Sequence, residues 1–203
     1  MTSQGWSVRS KLDREGSPTH AALVGAARRC FEQKGFGPTT IADIAKAAQV
    51  GRATFYVYFA TKDEIFSVLA QQLHDDLVAS QDPPGFDLSD PVATARASIG
   101  AYLDAYTRNL RLISVLQHQS LADQQMSRLW EQVQDHPLHR SARFARRLAD
   151  QGLAQPAAAP EAIARAAGGM VSAFASHVVD HPQDAERAKD ELGEMFIRLL
   201  GLG

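Results

Sequence analysis

GFGPTTIADIAKAAQVGRATFYVYFATKDEIF, residues 35–66, decides how this chain folds. Thr40 stands before Ile41, Ile44, Ala45 and Ala48, the i, i+3, i+4, i+7 spacing of a short amphipathic helix. Asp43 follows Thr40 by three residues, a capping box with Asp in place of the usual Glu. Gln49-Val50-Gly51 reads as a tight turn with Val50 plugging the inside, and a further helix runs from Arg52 to Phe59. That helix buries Phe55 and Phe59, one turn apart, and leaves Arg52, Ala53, Thr54, Tyr56 and Tyr58 largely outward. A longer helix starts near Thr61, whose hydroxyl can cap it. Upstream, a helix opening at Pro18 or Thr19 carries Leu23, Ala27 and Phe31 on one face and stops at Gly35, a left-handed cap, with Phe36 behind it as an apolar plug.

Outward from this core the helical period persists, and no run alternates apolar and polar residues as a sheet would require, so the expected fold is all-α. Residues 1–17 read as a flexible arm, in which Arg9, Lys11 and Arg14 either reach a DNA backbone or minor groove or do nothing. Residues 18–64 form a three-helix head and 65–203 a larger helical body, with helices expected near 91–108, 109–122, 124–152 (interrupted at Pro137), 160–180 and 184–200. DPPGFDLSDP, 82–91, and QPAAAP, 155–160, are the loops between them.

Composition narrows the function. At 45% apolar residues the 203-residue chain can bury real cores, and a single cysteine, Cys30, rules out an intramolecular disulfide and a zinc site built on cysteine pairs. No apolar run reads as approaching the roughly 20 residues of a membrane span, and the polar N-terminus is unlike a signal peptide, so a cytoplasmic protein without membrane contact is expected. The net charge of −2 divides unevenly: residues 1–64 carry nine Lys/Arg against six Asp/Glu, and the remainder is acidic. A basic head on an acidic body suits a phosphate-facing N-terminus.

Two short helices joined by a three-residue turn match what a DNA major groove accepts. Ala53 and Thr54 are small enough to let the second helix sink, Arg52 can engage a guanine edge, and Thr54 offers a hydroxyl and a methyl to a thymine. Tyr56 and Tyr58 suit phosphate oxygens or, alternatively, complete the head's core; Lys62, beside a helix N-terminus, either adds charge to an anion site or is an ordinary solvated residue.

The Gly-aromatic after the first helix, Thr-x-x-x-Ile-Ala, Ala-x-Val, Thr-Phe-Tyr-x-Tyr-Phe and the Lys two residues before Glu closely resemble the DNA-binding signature of the TetR family of bacterial regulators. The resemblance implies that Thr40, Tyr56, Tyr58 and Lys62 meet phosphates and that Arg52, Ala53 and Thr54 read bases. Gly51 departs from it, standing where the family often has a serine that caps the recognition helix and meets a phosphate.

One recognition helix reads only a few base pairs, so a homodimer is expected. Ile163, Ala167, Met170, Val171, Phe174 and Val178, with Gly168-Gly169 for close approach, form one apolar stripe, and Leu192, Met195, Phe196, Leu199 and Leu200 another; the two pair into a four-helix interface or bury within the monomer. Tyr102, Tyr106, Met126, Trp130, Phe144, Met170 and Phe174 lie at helical spacings and are candidate walls of a cavity for an apolar or amphipathic effector, with His118 and His177 as hydrogen-bonding partners, or else plain core. His136-Pro137-Leu138-His139 lacks metal-ligand spacing, and no cofactor motif, nucleophile motif, phosphate-cradling glycine loop or acid pair is present, so no enzyme activity is expected. The sequence thus reads as a ligand-released repressor on a palindromic operator; the alternative is a helical small-molecule-binding or scaffolding protein that does not read DNA.

Overall fold

The computed structural model describes residues 16–81 and 89–202, and all the regular structure in them is helical. The 1–17 arm, with Arg9, Lys11 and Arg14, lies almost wholly outside the described residues, as does most of the 82–91 loop. The chain divides into two compact units, 1–69 and 70–203, so the division falls five residues beyond Glu64. Helix α4 (Lys62–Ser80) runs across it.

The first unit holds α1 (Pro18–Lys34), α2 (Ile41–Ala47), α3 (Arg52–Tyr58) and the opening turns of α4. Ser17 caps α1 by accepting from the His20 amide at 3.1 Å, with Pro18 at the first position, where its missing N–H is harmless. Gly35 ends it at φ 82°, ψ 168°, a positive φ that favours glycine but not the left-handed helical cap expected. Leu23, Ala27, Phe31, Ile44, Phe55 and Ile65 are wholly buried. Phe31, Phe36 and Phe66 form an aromatic cluster with centroids 4.9–5.3 Å apart, in which the full burial of Phe31 and Phe66 contributes on the order of 1.5–3 kcal/mol each and Phe36 is half-buried.

The second unit holds the rest of α4 with α5 (Pro91–Ser120), α6 (Gln124–Asp150), α7 (Pro160–Asp180), a 3₁₀ turn (Pro182–Asp184) and α8 (Ala185–Leu200). The two helices expected at 91–108 and 109–122 are one 30-residue helix. Asn109 explains the continuity: its buried amide donates to the Ala105 carbonyl one turn back, 2.8 Å, and to Asp76 Oδ2, 2.6 Å, so the side chain ties the helix together rather than starting a new one. Helix α6 likewise continues through Pro137, which is buried and whose carbonyl accepts from Gln81 Nε2 at 3.4 Å. Packing on both sides of the proline sustains the helix where local sequence predicted an interruption.

Helix α5 packs against α6, α7 and α8, and the core between them is Leu103, Leu148, Ile163, Val171, Leu192 and Leu200. Of the two alternatives open for the apolar stripes, burial within the monomer holds for most of their residues. Ile163, Ala167, Val171, Val178, Leu192, Phe196 and Leu200 are all buried within one chain, because α5 and α6 cover them. Met195 stays 37% exposed, Gly169 is exposed, and Met170, Phe174 and Leu199 are half-buried. Helix α7 is also long and apolar enough, by length and composition, to cross a membrane, contrary to the expectation that no segment is; in this structure one face of it is core.

The 151–159 linker is pinned to the C-terminus by hydrogen bonds from the Gln155 amide to the Gly201 carbonyl, 3.2 Å, and from the Ala157 amide to Leu199, 3.0 Å. Gly201 adopts φ 69°, ψ 36°, and a methyl there would overlap the Gln155 carbonyl. Gly152 has the same φ of 69° with open space around it. Gly201→Ala should therefore lower the unfolding free energy by about 1–3 kcal/mol, and Gly152→Ala by less, since only the backbone strain is incurred there; urea denaturation followed by circular dichroism ranks the two.

Candidate nucleic-acid interface and ligand clefts

Thr40 and Asp43 form the expected capping box: the Asp43 amide donates to Thr40 Oγ1 at 3.1 Å, and Asp43 Oδ2 accepts from the Thr40 amide at 2.9 Å and its hydroxyl at 2.7 Å. Lys34 Nζ adds an ion pair to Asp43 Oδ1 at 2.8 Å. Helix α2 then ends in a turn of Schellman type, with the Gln49 amide on the Lys46 carbonyl at 3.1 Å and Val50 on Ala45 at 3.0 Å. Gln49 occupies the left-handed position at φ 58°, a conformation that costs a non-glycine residue about 1 kcal/mol and shows how tightly the turn is specified. Gly51 opens α3 with extended backbone and no side-chain cap, as its missing hydroxyl requires.

On α3, Phe55 is wholly buried and Phe59 nearly so, which turns the opposite face out. Arg52, Ala53 and Tyr56 are exposed, Tyr56 at 48%, while Thr54 and Tyr58 are half-buried and the Tyr58 ring lies 6.3 Å from that of His20. Arg52 folds along the helix, donating from Nη2 to Tyr56 Oη at 3.3 Å with its guanidinium 5.8 Å from the ring centroid. Two residues on this side escaped the sequence reading. Val57 is 53% exposed although apolar, and its place off the Phe55/Phe59 face was the available signal. Lys46, exposed on α2, has no carboxylate partner among the described residues.

Lys62 differs from its expected role. Its ammonium donates to the carbonyls of Phe36 (2.8 Å), Gly37 (3.0 Å) and Thr39 (3.1 Å) and lies 4.5 Å from the Phe36 ring centroid. All three ammonium hydrogens are thereby engaged, so the lysine pins the 36–39 loop to the start of α4. That start is itself capped, by Thr61 Oγ1 accepting from the Glu64 amide at 3.1 Å and Glu64 Oε2 accepting from Ala60 at 2.7 Å.

The body's candidate residues separate into two clefts and the core. Tyr102, Tyr106 and Trp130 line a cleft of about 330 Å³ with Leu77, Ile113 and Leu138. The two tyrosine rings meet edge to face at 6.0 Å, and Tyr106 Oη donates to Ser172 Oγ at 3.4 Å. Burial, then the neighbouring Tyr106, pushes the Tyr102 phenol above its usual range, so it stays a neutral donor. Tyr102 and Phe144 line another cleft of about 340 Å³. Met126 is buried, Met170 and Phe174 pack on the core, and none of the three lines these clefts. His177 is exposed, with Nε2 2.9 Å from Asp184 Oδ2 and its ring stacked on His181 at 4.5 Å, a hydrogen-bonded position at a helix end rather than a wall of either of these clefts. His118 is exposed too. His74 and His136 meet edge to face at 5.8 Å beside a wider cleft of about 960 Å³.

Comparison with known proteins places this geometry. Residues 23–69 match the family model described as bacterial regulatory proteins, tetR family. The chain is 32% identical over 132 residues to the HTH-type transcriptional regulator TtgR of Pseudomonas putida, covering 61% of each protein. It is 31% identical over 97 residues to the HTH-type transcriptional regulator EthR of Mycolicibacterium smegmatis, covering 45% of this chain and 42% of that one. The chain therefore spans less than two thirds of the length of these relatives. Among solved structures, it superposes on a tetR-family regulatory protein from Rhodococcus RHA1 with a TM-score of 0.76 at 19% identity, covering 92% of this chain and 99% of that one. The transcriptional regulator FadR from Bacillus subtilis in complex with stearoyl-CoA matches with a TM-score of 0.73 at 14% identity, covering 89% and 98%. At these identities the structures establish a shared fold.

Lys62→Met should lower the head's stability by about 1–3 kcal/mol through its three orphaned carbonyls, measured by urea unfolding without DNA; unchanged stability would return Lys62 to an open cation. Lys34, then Thr40, holds the Asp43 carboxyl well below the usual carboxylate range. The stability drawn from that group is complete above about pH 4, its unfolded value, and fades as the pH falls further, so Asp43→Asn should flatten the acid limb of the stability profile.

Proposed function

We propose that this chain is a member of the TetR family of bacterial regulatory proteins, a homodimeric, sequence-specific transcriptional repressor that a small amphipathic effector releases from a palindromic operator; the match of residues 23–69 to that family and the shared fold support the reading. The observation that carries this reading is α3. A seven-residue helix buries Phe55 and Phe59 and presents Arg52, Ala53 and Tyr56 outward, behind a capping box and a tightly specified turn. In the complex Arg52 leaves Tyr56 for a guanine edge, Ala53 and Thr54 allow close approach, and Thr40, Tyr56, Tyr58 and Lys46 meet the backbone. Lys62 acts one step back, by holding the loop before Thr40.

The dimer face we propose is the outer side of α7 and α8, where Gly169, Met170, Phe174, Met195 and Leu199 keep exposed surface. The effector site is the cleft of Tyr102, Tyr106 and Trp130, whose 330 Å³ sits at the low end of the roughly 300–1,000 Å³ usual for ligand sites. The related FadR was solved with stearoyl-CoA, a precedent for an apolar chain in this fold, although the cleft here suits a smaller guest. Leu77, on α4, lines that cleft, so an occupant can act on the helix that continues into the head.

Fluorescence anisotropy against pooled random duplexes, with sequencing of the bound fraction, tests the reading. It should recover a palindrome. Arg52→Ala should cost about 1–3 kcal/mol per half-site and relax one base position, whereas Lys46→Ala should weaken all sequences alike and reduce the salt slope. Sequence-indifferent binding that salt abolishes would sink the reading. Effectors are scored by at least tenfold weaker operator binding, an effect that Trp130→Ala should remove.

A further inference from the structure

The cleft of Tyr102, Tyr106 and Trp130 is lined by a single strongly basic group and by no acid. Among its described lining residues Arg165 is the only Asp, Glu, His, Lys or Arg. Arg165 also lines the wider cleft of about 960 Å³, as do Val133 and Leu138, so it stands in a wall that the two clefts share.

Helix geometry explains why this charge is unanswered. An arginine on α7 reaches acids three or four residues away, which for Arg165 means positions 161, 162, 168 and 169. Those positions hold Glu161, Ala162, Gly168 and Gly169, and Glu161 is bound by Arg146 of α6. Arg165 is therefore exposed, with no carboxylate partner among the described residues.

The aromatic side of the cleft supplies a second, independent observation. Tyr106 Oη is committed to Ser172 Oγ, whereas Tyr102 Oη has no hydrogen-bond partner among the described residues. The sealed side-chain polar atoms without a partner there are Gln81 Oε1 and Thr107 Oγ1, so the Tyr102 hydroxyl stays open to an arriving molecule. Three aromatic rings favour edge and offset contacts with another ring, and a guanidinium grips a planar carboxylate through two parallel N–H bonds. At about 330 Å³, near the low end of ligand-site volumes, the cleft suits a compact ring system with a short side group rather than a long chain.

We propose that the ligand of this cleft is an aromatic carboxylate, its rings among Tyr102, Tyr106 and Trp130 and its carboxylate on Arg165. The inference rests on the reading of this cleft as the effector site and names the chemical class it takes. A cation has no acid to meet there, and the carboxylates of the neighbourhood, Asp135 and Glu161, line only the wider cleft, which keeps an anion at the shared wall.

Isothermal titration calorimetry on the full chain without DNA, with 2-naphthoate, 2-naphthol and 2-naphthylmethylammonium as probes, tests the charge preference on one ring system. The naphthoate should bind about tenfold more tightly than the naphthol, and the ammonium most weakly. Arg165→Gln should bring the naphthoate down to the affinity of the naphthol, leaving the naphthol and the melting temperature unchanged, and Arg165→Lys should restore part of the difference. Trp130→Ala should weaken the naphthoate and the naphthol alike. Naphthol binding as tightly as naphthoate, Arg165→Gln leaving the naphthoate unaffected, or no binding of the naphthoate at millimolar concentration would each overturn the proposal. Naphthoate held through Arg165 with operator affinity unchanged would support the site and count against the effector reading alone. Naphthoate and naphthol binding equally and both releasing the operator would overturn the carboxylate and leave the repressor standing.

Discussion

Three phenylalanine rings hold the head in register. Phe31 from α1, Phe36 from the loop and Phe66 from α4 meet within 5.3 Å, and the Phe36 ring also lies under the Lys62 ammonium. Apolar burial brings the loop against α4, and the three carbonyls that this approach strips of water are answered by one lysine. The loop so placed delivers Thr40 to the start of α2, and α2 delivers the turn that aims α3. The outward face of α3 is therefore the last link in a chain of burial and capping that begins at the aromatic cluster.

The body obeys a different logic. Helices α5 to α8 bury long apolar stripes against one another, with Leu103, Leu148, Val171, Leu192 and Leu200 essentially sealed from solvent. Once that core is closed, what is left over is informative: a tyrosine pair beside Trp130, and a buried glutamine oxygen without a donor. Unanswered polarity inside a well-packed unit is where ligand chemistry is to be sought, since packing alone has no use for it.

The candidate interface was more legible in the sequence than the candidate clefts. Thr40 with Asp43, Thr61 with Glu64, and Phe55 with Phe59 all act over three or four residues, within reach of one helical turn, and the structure has each as its spacing implies. Arg52 and Tyr56 fall outward for the same reason. Among the clefts, Tyr102, Tyr106, Trp130 and Phe144 line walls, but Met126 and His177 do not, because a helical spacing tells which residues share a face without telling what faces them.

By itself, then, the sequence determined the all-helical class, the Thr40 and Thr61 caps, the tight turn at Gln49-Val50-Gly51 and the outward placing of Arg52, Ala53 and Tyr56 on α3, each a matter of neighbours in the chain. Only the tertiary structure decided that Asn109 and Pro137 sit inside unbroken helices, that the stripes of α7 and α8 are mostly core, and that Lys62 serves carbonyls more than 20 residues away. It alone revealed Gln81 Oε1 as an orphan. Burial and hydrogen-bond satisfaction are set by whichever distant segment arrives to cover a group, and no local periodicity encodes that arrival.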